Sequence, residues 1–256
     1  MMALPNVFRL VYRNIKVNTD YGTLIILIGL PAMYLVFFGY GFQALAASGS
    51  SSHFYLSFLT PGMMAYSTVM AGTVGGSMLW ADRRYGMLAQ LLVGPFTRLQ
   101  YLLGIMLTAV MFGLVGSAVM FVVAYLLIGT ISITPLGALS LTAAILVGSI
   151  FFGSLMLLIS ALVKSNNAYN SIQILIIFLV SFASTVFYAQ SPSLPIVLQV
   201  LFTINPLTYV ANVVRASYLG TLGLGDAYQF AGLIFVMGVL LFLAVRSYMR
   251  SGVSFS

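Results

Sequence analysis

The chain has 256 residues, 61% of them hydrophobic and only 5% charged, against about 25% charged in an ordinary soluble domain. A soluble fold of this size would have almost no polar surface to show water, so lipid is the expected solvent for most of the chain. The absence of cysteine excludes disulfides, thiolate metal sites and a catalytic thiol. The net charge of +7, ten Lys and Arg against three acids, is expected on loops facing the cytoplasm rather than on a nucleic-acid surface.

Residues 1–20 precede the first apolar run. Arg9, Arg13 and Lys16 recur at helical spacing, and Phe8, Val11, Tyr12 and Ile15 recur on another side. This pattern predicts a helix lying in the membrane interface with its basic side towards anionic headgroups of the bilayer. The first span is expected over 23–42, with Pro31 inside it as a kink. A small polar loop over 46–52 leads to a second span over 54–80, kinked near Pro61 and Gly62. Gly72 and Gly76 in that span have the spacing that lets two helices approach closely.

Residues 82–98 form the densest cluster of charge. A helix is expected from Arg83 to Val93, ended by Gly94 and Pro95. On it Tyr85, Leu88 and Leu92 share a face with Leu91 beside them, an apolar stripe that needs a partner groove or the membrane surface to cover it. The third span is expected over 101–128, the fourth over 137–163 after a turn with Ser132 and Pro135, and the fifth over 169–188 after a polar break at Lys164. Residues 190–226 are too broken by proline for one span and too apolar for an ordinary loop. Two short helices are expected there, over 194–202 and from Asn205 to Leu219, with Asn205 as N-cap, Pro206 at the first helical position and Gly220 as the stop. They predict a re-entrant hairpin before a sixth span over 230–245.

The expected fold is therefore all-α: a single polytopic membrane domain over 1–256 with six transmembrane helices. With the amino terminus inside, Arg9, Arg13, Lys16, Arg83, Arg84, Arg98, Lys164, Arg246 and Arg250 fall on the cytoplasmic side and only Arg215 outside. That asymmetry predicts a multi-pass protein of the cell membrane with both termini cytoplasmic.

Three absences narrow the chemistry. The two lysines, Lys16 and Lys164, do not follow glycine, so the chain has no phosphate-cradling Gly-Lys-Ser/Thr loop and no ATPase site of that kind. His53 is the only histidine, which excludes a histidine cluster for a metal or a triad. No Asp, Glu, Lys or Arg falls in the interior of an expected span, which disfavours an ion-coupled secondary transporter or channel as the alternative class. Neither an enzyme nor a cofactor-binding chain is expected. Arg215 has two readings: an anchor of an outer gate, or an arginine snorkelling to the outer interface.

These landmarks, in order, resemble the type-2 ATP-binding-cassette exporter permeases, a family of drug, lipid and polysaccharide exporters. The resemblance rests on Thr60-Pro61-Gly62, on Asp82-Arg83-Arg84-Tyr85-Gly86-Met87-Leu88 running to Leu91-Leu92-Val93-Gly94-Pro95, on Leu103-Gly104, and on Asn205-Pro206-Leu207-Thr208-Tyr209 followed by Arg215 and Leu219-Gly220. It implies that residues 82–95 are a cytoplasmic coupling helix, that residues 190–226 form the outer gate with Asn205, Pro206, Tyr209 and Arg215, and that spans two and five line the pathway. It also implies a dimer with a second permease copy and a separate nucleotide-binding ATPase subunit that holds the ATP and Mg. The implied cargo is hydrophobic or amphipathic, a multidrug-type or lipid-like molecule; a polysaccharide or glycolipid is the alternative. Family members usually carry a glutamate at the charged start of the coupling helix and often another further along. Arg84 and Ala89 stand in those places here, which implies a differently charged groove on the ATPase.

Overall fold

The computed structural model describes residues 4–46, 54–129 and 133–251. The expected outer loop beyond residue 46, His53 and Ser132 lie outside the described residues. Among those described, every regular element is helical. In chain order they are α1 (Leu4–Val17), α2 (Tyr21–Leu24), a π-turn (Ile25–Gly29), α3 (Leu30–Ala46), α4 (Phe54–Arg84), α5 (Met87–Val93), α6 (Arg98–Ile128), α7 (Pro135–Leu162), α8 (Asn166–Phe182), α9 (Ile196–Ile204), α10 (Pro206–Leu219) and α11 (Leu224–Arg250).

Four stretches are long and apolar enough to cross a membrane: Tyr21–Gly41, Arg98–Ile128, Pro135–Leu162 and Leu224–Arg250. A fifth results if α9 and α10, bent by 79° at their junction, are counted as one broken span. The π-turn sits immediately before Pro31, with the N–H of Leu30 donating to the carbonyl of Ile25. Proline has no N–H for the carbonyl four residues back and its ring crowds that group, and a widened turn relieves both. Pro61 lies inside α4, which continues unbroken across it.

The long α4 is the centre of the fold. It packs most extensively against α6 and α7, and α10 and α3 cover its remaining sides. Nearly every residue from Leu59 to Trp80 is buried, including Thr60, Ser67, Thr68 and Thr73. Those hydroxyls donate back to carbonyls of their own helix, as Thr68 does to Ala65 at 2.7 Å. A helix enclosed by protein has no need of the uniformly apolar surface that lipid demands, which is why the central helix is less apolar than α3, α6 and α7. Its glycines set the packing distance. A Cβ on Gly72 would stand 2.6 Å from the carbonyl carbon of Phe152 on α7, and one on Gly76 2.6 Å from the Cβ of Met156. Gly62 lies as close to the backbone of Val186.

Candidate functional site: the elbow and the bent hairpin

Two polar regions mark opposite ends of α4. The first is the elbow between α4 and α6. The helix expected from Arg83 to Val93 is two elements. α4 runs through Arg84, the chain turns at Gly86 with φ 72°, and α5 occupies only Met87–Val93. A left-handed residue ends a helix, so Asp82 and Arg83 belong to the last turn of α4 and point into the protein. Replacing Gly86 with alanine should cost about 1 kcal/mol from left-handed strain, read as a lower melting temperature. The space around Gly86 is open, so an unchanged melting temperature would show that the turn tolerates a side chain.

The apolar stripe also differs from expectation. Leu88 is 2% exposed, and Leu91 and Leu92 are half-buried against the core. The break at Gly86 rotates Tyr85 off the face that Leu88 uses. The exposed apolar groups at the elbow are instead Tyr85, Met87 and Val93, at 75%, 38% and 90%. α6 then starts from a capping box, Thr97 accepting from the N–H of Gln100 and Gln100 accepting from the N–H of Thr97.

Asp82 is buried and forked onto Arg13 of α1, with nitrogen-to-oxygen distances of 2.6 and 2.8 Å. The hydroxyl of Tyr101 on α6 donates to the same carboxylate at 2.7 Å. Bidentate, charge-assisted bonds of this kind are the strong ones. The bond to Asp82, working against burial, raises the pKa of Arg13 above its ordinary value, so Arg13 stays charged at any physiological pH. Beside it Asn14 is buried and donates to Thr108 of α6 at 3.3 Å. The interfacial reading of α1 is corrected to this extent. Val7, Leu10, Val11 and Asn14 form a face packed on the protein, Arg13 turns inward, and Arg9, Lys16, Phe8 and Tyr12 remain exposed.

The neighbouring arginines cap helix ends. Arg83 donates to the carbonyls of Ser160 and Ala161 in the last turn of α7, at 2.9 and 3.2 Å. Arg98 donates to those of Met249 and Ser251 at the end of α11. A cation at a helix C-terminus satisfies orphan carbonyls and the negative end of the dipole together. Arg84 alone of this set faces outward, its guanidinium 5.3 Å from the ring centre of Trp80 and 5.7 Å from that of Tyr85.

The second region is the bent hairpin. Asn205 holds both of its sides. Its Oδ1 accepts from the N–H of Leu207 and starts α10. Its Nδ2 donates to the carbonyls of Val180 and Ala183 at 2.8 and 2.7 Å, closing the end of α8. Pro206 follows at the first helical position, and Tyr209 donates back to the carbonyl of Thr203 across the bend. Gly220 ends α10 in the left-handed conformation. Asn205→Ala would strand these buried groups and should cost about 1–3 kcal/mol. Unfolding of the purified variant checks this, and a loss below 0.5 kcal/mol, roughly the low end for a net hydrogen bond, would contradict it.

Arg215 does not snorkel outward. It donates to the carbonyl of Thr185 at 2.8 Å and lies 4.0 Å from the ring centre of Phe58 on α4. Thr185 in turn donates to Asn212 of α10 at 3.0 Å. The residues that sequence reasoning missed are Tyr101, Asn14 and Thr108 at the elbow, and Phe58, Thr185 and Asn212 at the hairpin. Tyr101, Thr108, Phe58 and Thr185 are ordinary span residues in sequence, Asn14 and Asn212 ordinary residues of the flanking helices, and only their partners give them away.

No group of three metal-binding side chains occurs among the described residues. Several apolar membrane-length helices, an elbow at one end and a bent hairpin at the other mark a helical membrane protein. The family profile of the ABC-2 type transporter matches residues 6–219. The chain belongs to that family, whose members normally work with a separate ATPase subunit and have no ATPase site of their own. Compared with individual curated proteins, the chain finds no match.

Proposed function

We propose that this chain is the membrane subunit of an ATP-driven exporter that moves a hydrophobic or amphipathic molecule, drug-like or lipid-like. Six spans carry it: the four long apolar helices, the enclosed α4, and α8 with the irregular turn that follows. α8 has 17 residues, about 26 Å at 1.5 Å per residue against a hydrocarbon core of about 30 Å. The turn that completes it is buried at Ser184, Thr185, Val186 and Phe187 and tied down by Thr208 and Arg215. Irregular backbone is tolerated at membrane depth only where protein covers it. Both termini and the elbow face the cytoplasm, by the distribution of Lys and Arg.

One observation carries the reading. α5 hangs between two long helices on a glycine turn, with Tyr85, Met87 and Val93 exposed, and the helix above it is rooted through Asp82 to α1 and α6. A push on α5 is thereby delivered to three helices at once. Near α3, α4 and α8 lies a cavity of about 170 Å³ lined by Tyr34, Tyr66, Met70, Phe178, Ser181 and Phe182 among others. Apolar walls with a few hydroxyls suit an amphipathic cargo. A second copy of the chain, or a related permease, completes the pathway across the exposed faces of α3 and α8.

The test is co-expression with the cognate nucleotide-binding subunit. The chain alone should hydrolyse no ATP, and the pair should copurify and export the cargo. Deletion of residues 85–92 should abolish assembly or transport. Transport at the wild-type rate after that deletion would refute the proposal.

A further inference from the structure

Among the described residues the outward-facing charge at the elbow has no counter-charge. There is no glutamate, and the three acids are Asp20, Asp82 and Asp226. Asp82 is forked onto Arg13. Asp20 accepts from the N–H and hydroxyl of Thr23. Asp226 accepts from the N–H of Gly223 at the start of α11. Arg13, Arg83 and Arg98 each have oxygen partners inside the fold. Arg84 is exposed and, among the described residues, rests on the rings of Trp80 and Tyr85 without an oxygen partner. Withdrawal of Asp82 into the fold therefore leaves the outward surface of the elbow purely basic: one guanidinium framed by Tyr85, Met87 and Val93.

We infer that this surface docks into a groove of the nucleotide-binding subunit that is apolar at its floor and carries a carboxylate at its rim, opposite Arg84. The inference rests on the permease reading above and goes beyond it by specifying the charge of the partner. A protein partner is favoured over anionic lipid by length. α4 and α6 have 31 residues each, about 46 Å of helix against a hydrocarbon core of about 30 Å. Even tilted, they carry α5 to the edge of the headgroups or past it. The cations placed for lipid are Arg9 and Lys16, exposed on α1. The rings of Trp80 and Tyr85 cover part of the guanidinium, whose planar fork is suited to a carboxylate. The rings of Trp80 and Tyr85 keep Arg84 from folding back, so little ordering remains for the docking step.

The experiment copurifies the full chain with its ATPase subunit, in detergent and in nanodiscs of neutral or anionic lipid. Arg84→Glu should weaken the complex by at least about tenfold, since like charges meet at the rim, and Arg84→Lys should retain most of it. Raising the salt should weaken the wild-type complex and not that of Arg84→Gln. Reversing the facing acid on the ATPase should restore binding to Arg84→Glu. Melting temperature should fall only slightly, because among the described residues Arg84 has no oxygen partner and gives up only its ring contacts and its place at the end of α4. A complex indifferent to Arg84→Glu overturns this inference alone. An effect seen only in anionic nanodiscs assigns the counter-charge to lipid and overturns it too. Failure of the wild-type chain to bind any nucleotide-binding subunit overturns the permease reading and this inference together.

Discussion

Asp82→Asn should lower the stability of the purified chain by about 3 kcal/mol. The carboxylate is buried and its partner Arg13 has a quarter of its side chain exposed, so removing the negative charge leaves a cation poorly hydrated and uncompensated. Breaking a buried pair by deleting one partner costs about 3–5 kcal/mol, and residual exposure of Arg13 places this case at the lower end. The hydroxyl of Tyr101 also loses its charged acceptor. Arg13→Ala should cost about as much, because it strands the more buried Asp82 carboxylate even though the Tyr101 bond remains. The double variant should cost less than the sum of the two, as coupled partners do. Arg13→Met with Asp82→Leu should recover most of the loss, since a buried pair replaced by packed apolar groups is often neutral. Thermal unfolding in detergent reads all four. An Asp82→Asn melting temperature equal to wild type would mean that the fork does not hold α1 to the elbow.

Gly72→Leu should abolish folding, and Gly72→Ala should destabilise despite its better helix propensity. Alanine gains roughly 0.8–1 kcal/mol over glycine inside a helix. Against that stands a Cβ 2.6 Å from the backbone carbon of Phe152, which cannot rotate away. Separating α4 from α7 to relieve it costs about 1–3 kcal/mol, so the clash wins. Gly75 is the internal control. Its Cβ would meet the Cγ2 of Ile105 at 3.4 Å and the Cβ of Ala109 at 3.5 Å, near ordinary contact. Gly75→Ala should therefore be neutral or stabilising by up to about 1 kcal/mol. Yield of monodisperse protein and melting temperature distinguish the cases. A Gly72→Ala chain as stable as Gly75→Ala would show that the α4–α7 contact has slack that the distances deny.

Much of the architecture was legible in the sequence for a simple reason. An apolar run of membrane length has one stable environment, so α6, α7 and α11 announce themselves. Turn chemistry is equally local. Asn205-Pro206 starts α10 and Gly220 ends it, because capping depends on neighbours within four residues. The elbow was half legible. Gly94-Pro95 marked its end, yet the break at Gly86 was missed, since glycine inside a charged helical pattern does not by itself declare a left-handed turn. α4 was placed correctly but its role was hidden. Hydroxyls and glycines in a long helix read as weak hydrophobicity until four neighbouring helices are seen to enclose them.

The sequence by itself determined that this chain lives in a membrane as a bundle of helices, that it cannot cradle a nucleotide in a glycine-lysine loop, and where its polar segments fall. Hydropathy and capping decide those matters within a few residues of chain. Only the tertiary structure decided which charges face inward. Arg13 and Asp82 are 69 residues apart, Arg83 and Ser160 are 77 apart, and Arg215 and Thr185 are 30 apart. The energy of a buried charge depends on what stands within about 4 Å of it, and no local pattern encodes a partner at that separation. The same contacts turned the charge cluster of residues 82–98 from a single expected helix into a rooted elbow with an outward guanidinium at Arg84.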